Sequence, residues 1–195
     1  YYSSSNLSRF LNEVWLGFIL IKDFILNNKI DMSEYTKALS LIEESRYILI
    51  VTHVNPDPDS IGSALALSNL FHENKIKHKV FNISSDLPQN LDFIPRFDKI
   101  TDQLPAFFDL IITVDCGSYK RLGFRPDPML PIINIDYHKS HQNFWGVNIV
   151  DSMKSSTAEL VFEFFKHNGL YITKNSATAL YVGIYDDTLA FSLGR

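Results

Sequence analysis

The sequence has one cysteine, Cys116, among its 195 residues, which excludes a framework of disulfide bonds and is compatible with a reducing compartment. It has no apolar run of the length that spans a bilayer, since its best segment, residues 15–21, is followed directly by Lys22 and Asp23. It has no excess of positive charge either: 18 lysines and arginines stand against 22 acidic residues, so nothing attracts the whole molecule to nucleic acid or to an anionic membrane. These absences predict a soluble, cytoplasmic protein with no membrane partner.

The sequence does have enough apolar residues for a core, and two kinds of segment alternate along it. Apolar side chains make up 46% of the residues, which argues against disorder, and the length suits one domain. Short segments that are apolar along their whole length alternate with segments of helical character, as is typical of a parallel sheet. We therefore predict the α/β class, a parallel β-sheet flanked by helices on both faces, with strands at 46–52, 78–82, 108–114 and 131–135 and helices at 35–44, 61–74, 157–168 and 175–185.

The two ends of the chain differ from this pattern. Met32 directly precedes the first helical segment, so we predict that the native protein begins near Met32 and that residues 1–31 are an added, non-native extension. The alternative is that residues 1–31 form an amphipathic helix, because apolar side chains recur there at helical spacing. The domain itself is predicted to occupy residues 32–195 and to be cut short at its C-terminus.

The most informative segment follows the first predicted strand. His53, Asp57 and Asp59 stand in a proline-rich turn directly before a helix. An imidazole and carboxylates at this spacing suit a divalent cation such as Mn²⁺, and the carboxyl end of a buried strand is where open α/β sheets bind their ligands. The alternative is that the aspartates only turn the chain and cap the helix, which leaves His53 and one aspartate without a role.

Two further predicted strands end in the same way. Asp115 follows the third strand, Asp136 and His138 follow the fourth, and Asp186 and Asp187 form an acidic pair near the end of the chain. The carboxyl ends of parallel strands lie along one edge of a sheet, so these side chains can converge. Several carboxylates in one pocket repel one another, and two divalent cations about 3.5–4 Å apart, a common device in phosphoryl transfer, would offset that charge.

These segments resemble, in order, the motifs of the DHH phosphoesterase family, over about residues 34–192. The segment from His53 to Ser63 resembles the first motif, Val114 to Ser118 the second, and Ile135 to His138 the signature that names the family; further matches follow at 144–148, 155–159 and 183–188. Within the family the chain is most similar to small proteins that degrade very short oligoribonucleotides and remove the 3′-phosphate of 3′-phosphoadenosine 5′-phosphate (pAp). The resemblance implies a hydrolase, an oligoribonuclease or pAp phosphatase, with short RNA or small phosphorylated nucleotides as partners.

The resemblance also implies roles for individual residues. Five of them would be metal ligands: His53 and Asp57 for one Mn²⁺, Asp59 for the other, Asp115 as the bridge between the two, and Asp187 to complete the cluster. Mg²⁺ is the alternative ion. The metals would lower the pKa of a shared water and neutralise the phosphoryl oxygens. The implied catalytic residues are His138, which would face the phosphate or aid the leaving group, and Asp136, which would orient a neighbouring imidazole.

One position departs from the family pattern. Tyr137 stands where the signature normally has a histidine that binds the second metal, and a neutral phenol is a poor ligand at pH 7. We therefore expect the second site to be weaker, filled by water, or served by His138 or His141. For His141, a position on the surface in a polar turn is the preferred interpretation.

Polar and basic side chains near these motifs are candidates for substrate binding. Ser60 and Ser63 could offer donors to a phosphate, or could simply cap the helix that begins there. Arg121, with its neighbours Lys120 and Arg125, could contact substrate phosphates, or the three could form a solvated surface. Of these three cations, Arg121 is the preferred candidate.

The resemblance leaves the substrate open and implies a further part of the protein. Relatives in the family include RecJ-type exonucleases, cyclic-dinucleotide phosphodiesterases and pyrophosphate or polyphosphate hydrolases, which are therefore alternative activities. A non-enzymatic metal or nucleotide sensor is a further alternative, motivated by Tyr137. Family members usually carry a second, substrate-binding domain, and nothing after Asp187 resembles it. The expected assembly is a homodimer.

Overall fold

The computed structural model describes residues 34–84, 86–139, 146–190 and 192. The predictions for residues 1–31 and for His141 lie outside these described residues. Helix α1 covers residues 34–44. The other helices and strands, in chain order, are β1 (Ile48–Thr52), α2 (Pro58–Glu73), β2 (His78–Phe81), β3 (Ile100–Thr101), β4 (Leu110–Val114), β5 (Ile132–Asp136), β6 (Gly146–Val150), α3 (Thr157–His167) and α4 (Lys174–Asp187).

The strands form one sheet in the order β3-β2-β1-β4-β5-β6, and every neighbouring pair is parallel. The predicted α/β class with a parallel sheet is therefore confirmed. This order runs outward in both directions from β1 and β4, so the chain reverses its direction of winding between these two strands. In sheets of this kind the crevice at the carboxyl ends of the two central strands is the usual place for a ligand.

The two faces of the sheet are covered by different kinds of structure. Side chains such as Ile48 and Ile50 join the apolar residues of α2, α3 and α4 in the larger core cluster. Leu49 and Val51 point to the opposite face, into a smaller cluster with Leu122. Among the described residues the cover of this second face comes from segment 116–130, whose helical part is the short 3-10 helix Tyr119–Arg121.

The start of α3 shows how local sequence positions a helix. Ser156 is the N-cap, and its Oγ accepts a hydrogen bond from the amide of Glu159 at 3.1 Å. The Glu159 carboxylate reaches back to the amide of Ser155, at 2.7 Å, and not to that of Ser156 as a capping box would require. None of the helices in the described ranges combines the length and the apolar character that a membrane-spanning helix needs.

Candidate metal centre

The register of the central strands brings candidate ligands from separate parts of the chain together. Thr52 of β1 lies opposite Val114 of β4, so the next residues, His53 and Asp115, leave the sheet side by side. Strand β4 pairs with β5 in the same way, which brings Asp136 to the same edge. The convergence at the carboxyl edge that was expected from the strand ends is therefore observed for these residues.

The first group of candidate ligands consists of His53, Asp57 and Asp115, whose ligand atoms lie within 4.8 Å of one another. His53 Nε2 is 3.3 Å from Asp57 Oδ2 and 3.4 Å from Asp115 Oδ2. The other ring nitrogen, Nδ1, is 2.8 Å from the carbonyl oxygen of Val54. Because a carbonyl can only accept, Nδ1 donates to it, and Nε2 is left facing the two carboxylates as in a metal-binding histidine.

Asp57 has two sets of contacts, one for each carboxylate oxygen. Oδ1 accepts a hydrogen bond from the amide of Ser60 at 2.9 Å, which makes Asp57 the N-cap of α2. Oδ2 is the oxygen that lies near His53. The capping and metal-binding interpretations of this residue are therefore compatible with each other.

The second group of candidate ligands consists of Asp115, Asp136 and His138. His138 Nδ1 is 2.8 Å from Asp136 Oδ1 and 3.2 Å from Asp115 Oδ1. Asp115 thus belongs to both groups, one oxygen in each. Its backbone has a φ of +54°, a conformation that side chains other than those of glycine, asparagine and aspartate seldom adopt.

Asp59 lies close behind these groups, with both of its oxygens engaged. Oδ2 accepts from the amide of Thr157 at 2.7 Å, and Oδ1 accepts from the amide of Ala158 at 2.9 Å. These are the first amides of α3, where a carboxylate is favoured by the free N–H groups and the helix dipole. A Cβ atom built on Gly183 of α4 would stand 2.7 Å from Asp59 Oδ1, so a glycine at that position leaves room for the carboxylate.

Asp187 reaches the site from the end of α4 and is hydrogen-bonded to the hydroxyl of Tyr137. Among the described residues, its Oδ2 and the Oδ2 of Asp136 are buried carboxylate oxygens that have no hydrogen-bond partner. Buried oxygens without a donor are costly unless a cation or water satisfies them. Their position among imidazoles and further carboxylates fits a divalent cation.

The crowding of acidic side chains in the site shifts the pKa values of their carboxyl groups. Burial and the charges of Asp115 and Asp187 raise the pKa of Asp59 well above its usual range, against the effect of its two amide donors. Burial and neighbouring acids likewise raise the pKa of Asp187 to about 6, although the hydrogen bond from Tyr137 works in the opposite direction. The pKa of Asp115 is held below its usual range because its hydrogen bonds with His138 and His53 outweigh burial.

The two histidines carry the compensating positive charge. Burial lowers the pKa of His53, but its hydrogen bonds with Asp115 and Asp57 raise it to about 9 overall. Hydrogen bonds with Asp115 and then Asp136 raise the pKa of His138 to about 10. A cation at this place would take over the compensation, because metal binding requires the imidazole in its neutral form.

The two serines proposed as substrate contacts lie in the first turns of α2. Ser60 and Ser63 are fully buried. The hydroxyl of Ser60 donates to the carbonyl of Asp57 at 3.0 Å, and that of Ser63 donates to Asp59 Oδ1 at 3.4 Å. In this arrangement both hydroxyls support the acidic side chains, and a substrate contact by these two residues stays a prediction.

The segment after Asp115 runs beside the site. Arg121 is half-buried in the 3-10 helix, and its carbonyl oxygen accepts a hydrogen bond from the amide of Val54 at 2.8 Å, which ties this helix to the residue next to His53. Cys116 is buried, its thiol donates to the carbonyl of Ser118, and burial raises its pKa to about 12. The thiol is therefore unsuited to act as a nucleophile.

Thr157 is a residue of the site that the sequence analysis did not identify. Its Oγ1 donates to Asp115 Oδ1 at 3.0 Å, while its amide donates to Asp59. It therefore joins α3 to two acidic residues that come from different strand ends. The signal that could have identified it is the cap at Ser156, because the residue after an N-cap presents a free amide where carboxylates bind.

The fold and the site define a parallel α/β domain with a group of carboxylates and imidazoles, suited to divalent cations, at the switch point of its sheet. The family model described as "DHH family, N-terminal domain" matches residues 47–184. The chain therefore belongs to the DHH family, as the motifs indicated.

Individual relatives agree with this assignment. The chain is 27% identical over 163 residues to the probable bifunctional oligoribonuclease and PAP phosphatase NrnA of Streptococcus mutans, covering 82% of this chain and 51% of that protein. It is 31% identical over 144 residues to the bifunctional oligoribonuclease and PAP phosphatase NrnA of Thermus thermophilus, covering 72% of this chain and 43% of that protein. The crystal structure of an exopolyphosphatase-related protein from Bacteroides fragilis is similar with a TM-score of 0.74 at 28% identity, covering 82% of this chain and 51% of that one. The chain thus spans about half the length of the curated relatives it matches.

Proposed function

We propose that this chain is the catalytic domain of a divalent-metal-dependent phosphoester hydrolase that acts on short oligoribonucleotides and on pAp. The observation that carries the proposal is the position of Asp115, a single buried carboxylate shared by two groups of candidate metal ligands. The printed activities of the relatives, oligoribonuclease and PAP phosphatase, support this choice of substrates. Mn²⁺ is the proposed ion, with Mg²⁺ as the alternative.

The residues that would hold the metals are the first group of candidate ligands and two further carboxylates beside it, while Asp136 and His138 of the second group have other proposed roles. His53 and Asp57 would hold the first ion, Asp115 would contact both, and Asp187 and Asp59 would complete the second site. The ions, when bound, supply positive charge that lowers the pKa of an attacking water and neutralises the phosphoryl oxygens. Asp59 would do so while keeping its two amide donors, because each carboxylate oxygen can accept from more than one direction.

His138 is the proposed catalytic residue on the substrate side. Its Nδ1 contacts Asp136, which orients the ring, and its Nε2 would face the substrate. There it would donate a hydrogen bond to the phosphate or a proton to the leaving oxygen. Asp136 contributes by positioning this imidazole.

Arg121 is the proposed contact for a substrate phosphate. The cytoplasmic location and the homodimer stay predictions.

The test is hydrolysis of a labelled RNA dinucleotide and of pAp by the full-length gene product, with Mn²⁺ and with EDTA. Asp115→Asn keeps the size of the side chain and removes the shared charge, so we expect turnover to fall by at least about a hundredfold. Asp98→Asn is the matched control, because Asp98 is an exposed carboxylate that forms an ion pair with its neighbour Lys99. Turnover that persists in EDTA, or that is equal in the two variants, would contradict the proposal.

A further inference from the structure

A pocket that the proposed reaction does not use lies beside the 3-10 helix that follows Asp115. It has a volume of about 620 Å³ and lies within residues 119–128. This volume is in the range of sites that bind small organic ligands. Its lining includes two aromatic rings, those of Tyr119 and Phe124, and two cations, Lys120 and Arg125.

The pocket is physically connected to the candidate metal centre. The 3-10 helix in its wall is tied to Val54, the residue next to His53, by the hydrogen bond from the Val54 amide to the Arg121 carbonyl. Gly123 packs against the same loop, since a Cβ built on it would stand 3.4 Å from Val54 Cγ1. Tyr119 is four residues after Asp115, a separation that an extended chain spans in at most about 14 Å. The wall of the pocket and the candidate metal centre therefore belong to connected segments of the chain.

The aromatic side of the pocket is held by the core of the protein. The Phe124 ring packs edge-on against the buried ring of Phe81, with centroids 5.5 Å apart at 84°. Tyr119 packs against the same apolar cluster below the sheet. Two prolines, Pro126 and Pro128, restrict the backbone of the remaining wall. Rings held in advance in this way can stack with a base at little further cost in conformational entropy.

The charge of the pocket fits a phosphate backbone. Lys120 and Arg125 are exposed, and Arg121 lies between them, so three cations fall within six residues of a chain whose net charge is −4. In the part of the chain that the structure describes, no ion pair neutralises Lys120 or Arg125. Alternating stacking surfaces and cations are the features by which proteins bind single-stranded nucleic acid.

We propose that this pocket, the nucleotide pocket, binds one nucleotide of a short single-stranded oligoribonucleotide whose scissile phosphate lies at the metal centre. Its base stacks on Phe124 and Tyr119, and Lys120 and Arg125 contact its phosphates. This inference rests on the proposed function and adds a binding site to it. Because pAp is a single nucleotide, it occupies the metal centre alone, so the nucleotide pocket separates the two substrates.

The test compares two charge-matched double variants of the full-length gene product. Lys120→Gln with Arg125→Gln removes the cations of the pocket, and both side chains are exposed, so folding is preserved. Lys75→Gln with Lys77→Gln is the control, because it removes the same charge from exposed residues directly before β2, at the amino-terminal edge of the sheet. Binding of a fluorescein-labelled pentaribonucleotide is measured in EDTA by anisotropy at several salt concentrations, and hydrolysis of pAp is measured with Mn²⁺.

We expect the pocket variant to bind the pentaribonucleotide about tenfold more weakly than the control variant does, with a salt slope smaller by about 1.4. An abasic strand of the same length should bind the wild type more weakly than RNA, because it cannot stack. Equal RNA binding by the two double variants would overturn the nucleotide pocket while the proposed function stands. A wild-type protein that hydrolyses neither pAp nor the dinucleotide would overturn the proposed function. The RNA affinities of the two double variants would still test the nucleotide pocket.

Discussion

At the scale of single residues, Asp115 connects more of the site than any other side chain described above. Oδ2 faces His53, while Oδ1 lies within hydrogen-bond distance of both His138 and Thr157. It follows directly after β4 at the switch point, and its positive φ turns the carboxylate out of the strand. Three contacts from three separate chain segments therefore fix one carboxylate, which is the preorganisation that a shared metal ligand needs.

Tyr137 leads to a prediction about the second metal. Tyr137 stands where the family signature normally has a metal-binding histidine. Its hydroxyl donates a hydrogen bond to Asp187. Tyr137→His would release Asp187 and supply an imidazole in its place, so we expect the weaker Mn²⁺ to bind about tenfold or more tightly. Titration of the metal-free protein with Mn²⁺ by calorimetry measures this. Tyr137→Phe, which releases Asp187 without adding a ligand, is the control, and an unchanged second affinity in the histidine variant would contradict the assignment.

The pKa values of the histidines predict how metal-free stability depends on pH. Both are raised, to about 9 for His53 and about 10 for His138, from an ordinary value near 6.5. A raised pKa in the folded state contributes stability that is present below pH 6.5 and is lost as the pH rises toward 9 and 10. In EDTA, the midpoint of urea unfolding should therefore be lower at pH 9 than at pH 6.5. A midpoint that stays constant or rises would show that these imidazoles do not carry the compensating charge.

The residues show where sequence interpretation succeeds. His53 and Asp115 could be placed together because each directly follows an apolar strand, and parallel strands end at one edge. The positions of Ser60 and Ser63 could not be predicted, since the direction of a hydroxyl near a helix start depends on what packs over it. The contact between Thr157 and Asp115 joins residues 42 apart, and no local pattern records it.

At the scale of elements, the approach of α4 to α2 shapes the site. A Cβ built on Gly62 of α2 would stand 2.6 Å from the carbonyl oxygen of Ala179, and one built on Gly183 of α4 would stand 2.7 Å from Asp59 Oδ1. The two helices can therefore lie this close only where each has a glycine. The same contact places the start of α2, which carries Asp57 and Asp59, against the end of α4, which carries Asp187.

Gly183→Ala tests this close packing. An added methyl group must displace Asp59 or the neighbouring helix, so we expect a loss of about 1–3 kcal/mol in the free energy of unfolding and weaker Mn²⁺ binding. Asn175→Ala, on an exposed position of α4, is the control and should change stability by less than about 0.5 kcal/mol. Urea unfolding in EDTA gives the first quantity. Since alanine is ordinarily the better helix former, an unchanged or raised stability of Gly183→Ala would show that the helices are not held at this distance.

The elements that sequence interpretation missed have weak patterns. The strands β1, β4 and β5 are buried at every position, and their apolar runs predict them to within two residues. Strand β3 has only two residues, and β6 alternates between buried and more exposed positions, as a strand at the edge of a sheet does. The strand order could not be obtained from the sequence, because it depends on long-range pairing such as that of β1 with β4.

At the scale of the whole molecule, the nucleotide pocket follows Asp115 of the candidate metal centre closely along the chain, within residues 119–128. The helical layer supplies Asp59 with its amide donors and Asp187, strand ends supply Asp115 and Asp136, and the opposite layer supplies aromatic rings and cations. A protein with net charge −4 can in this way bind a short phosphorylated ligand locally without attracting nucleic acid in general.

The most direct test of this account is the number of Mn²⁺ ions that the metal-free protein binds, measured by calorimetry and by the electron paramagnetic resonance signal of bound Mn²⁺. The account predicts two ions for the wild type and for Asp98→Asn, one of them weaker, and a loss of both in Asp115→Asn, because that carboxylate would contact both ions. Because Asp115 would contact both ions, the spins of the two Mn²⁺ ions should also be magnetically coupled. Two ions bound by Asp115→Asn with wild-type affinity would contradict the account.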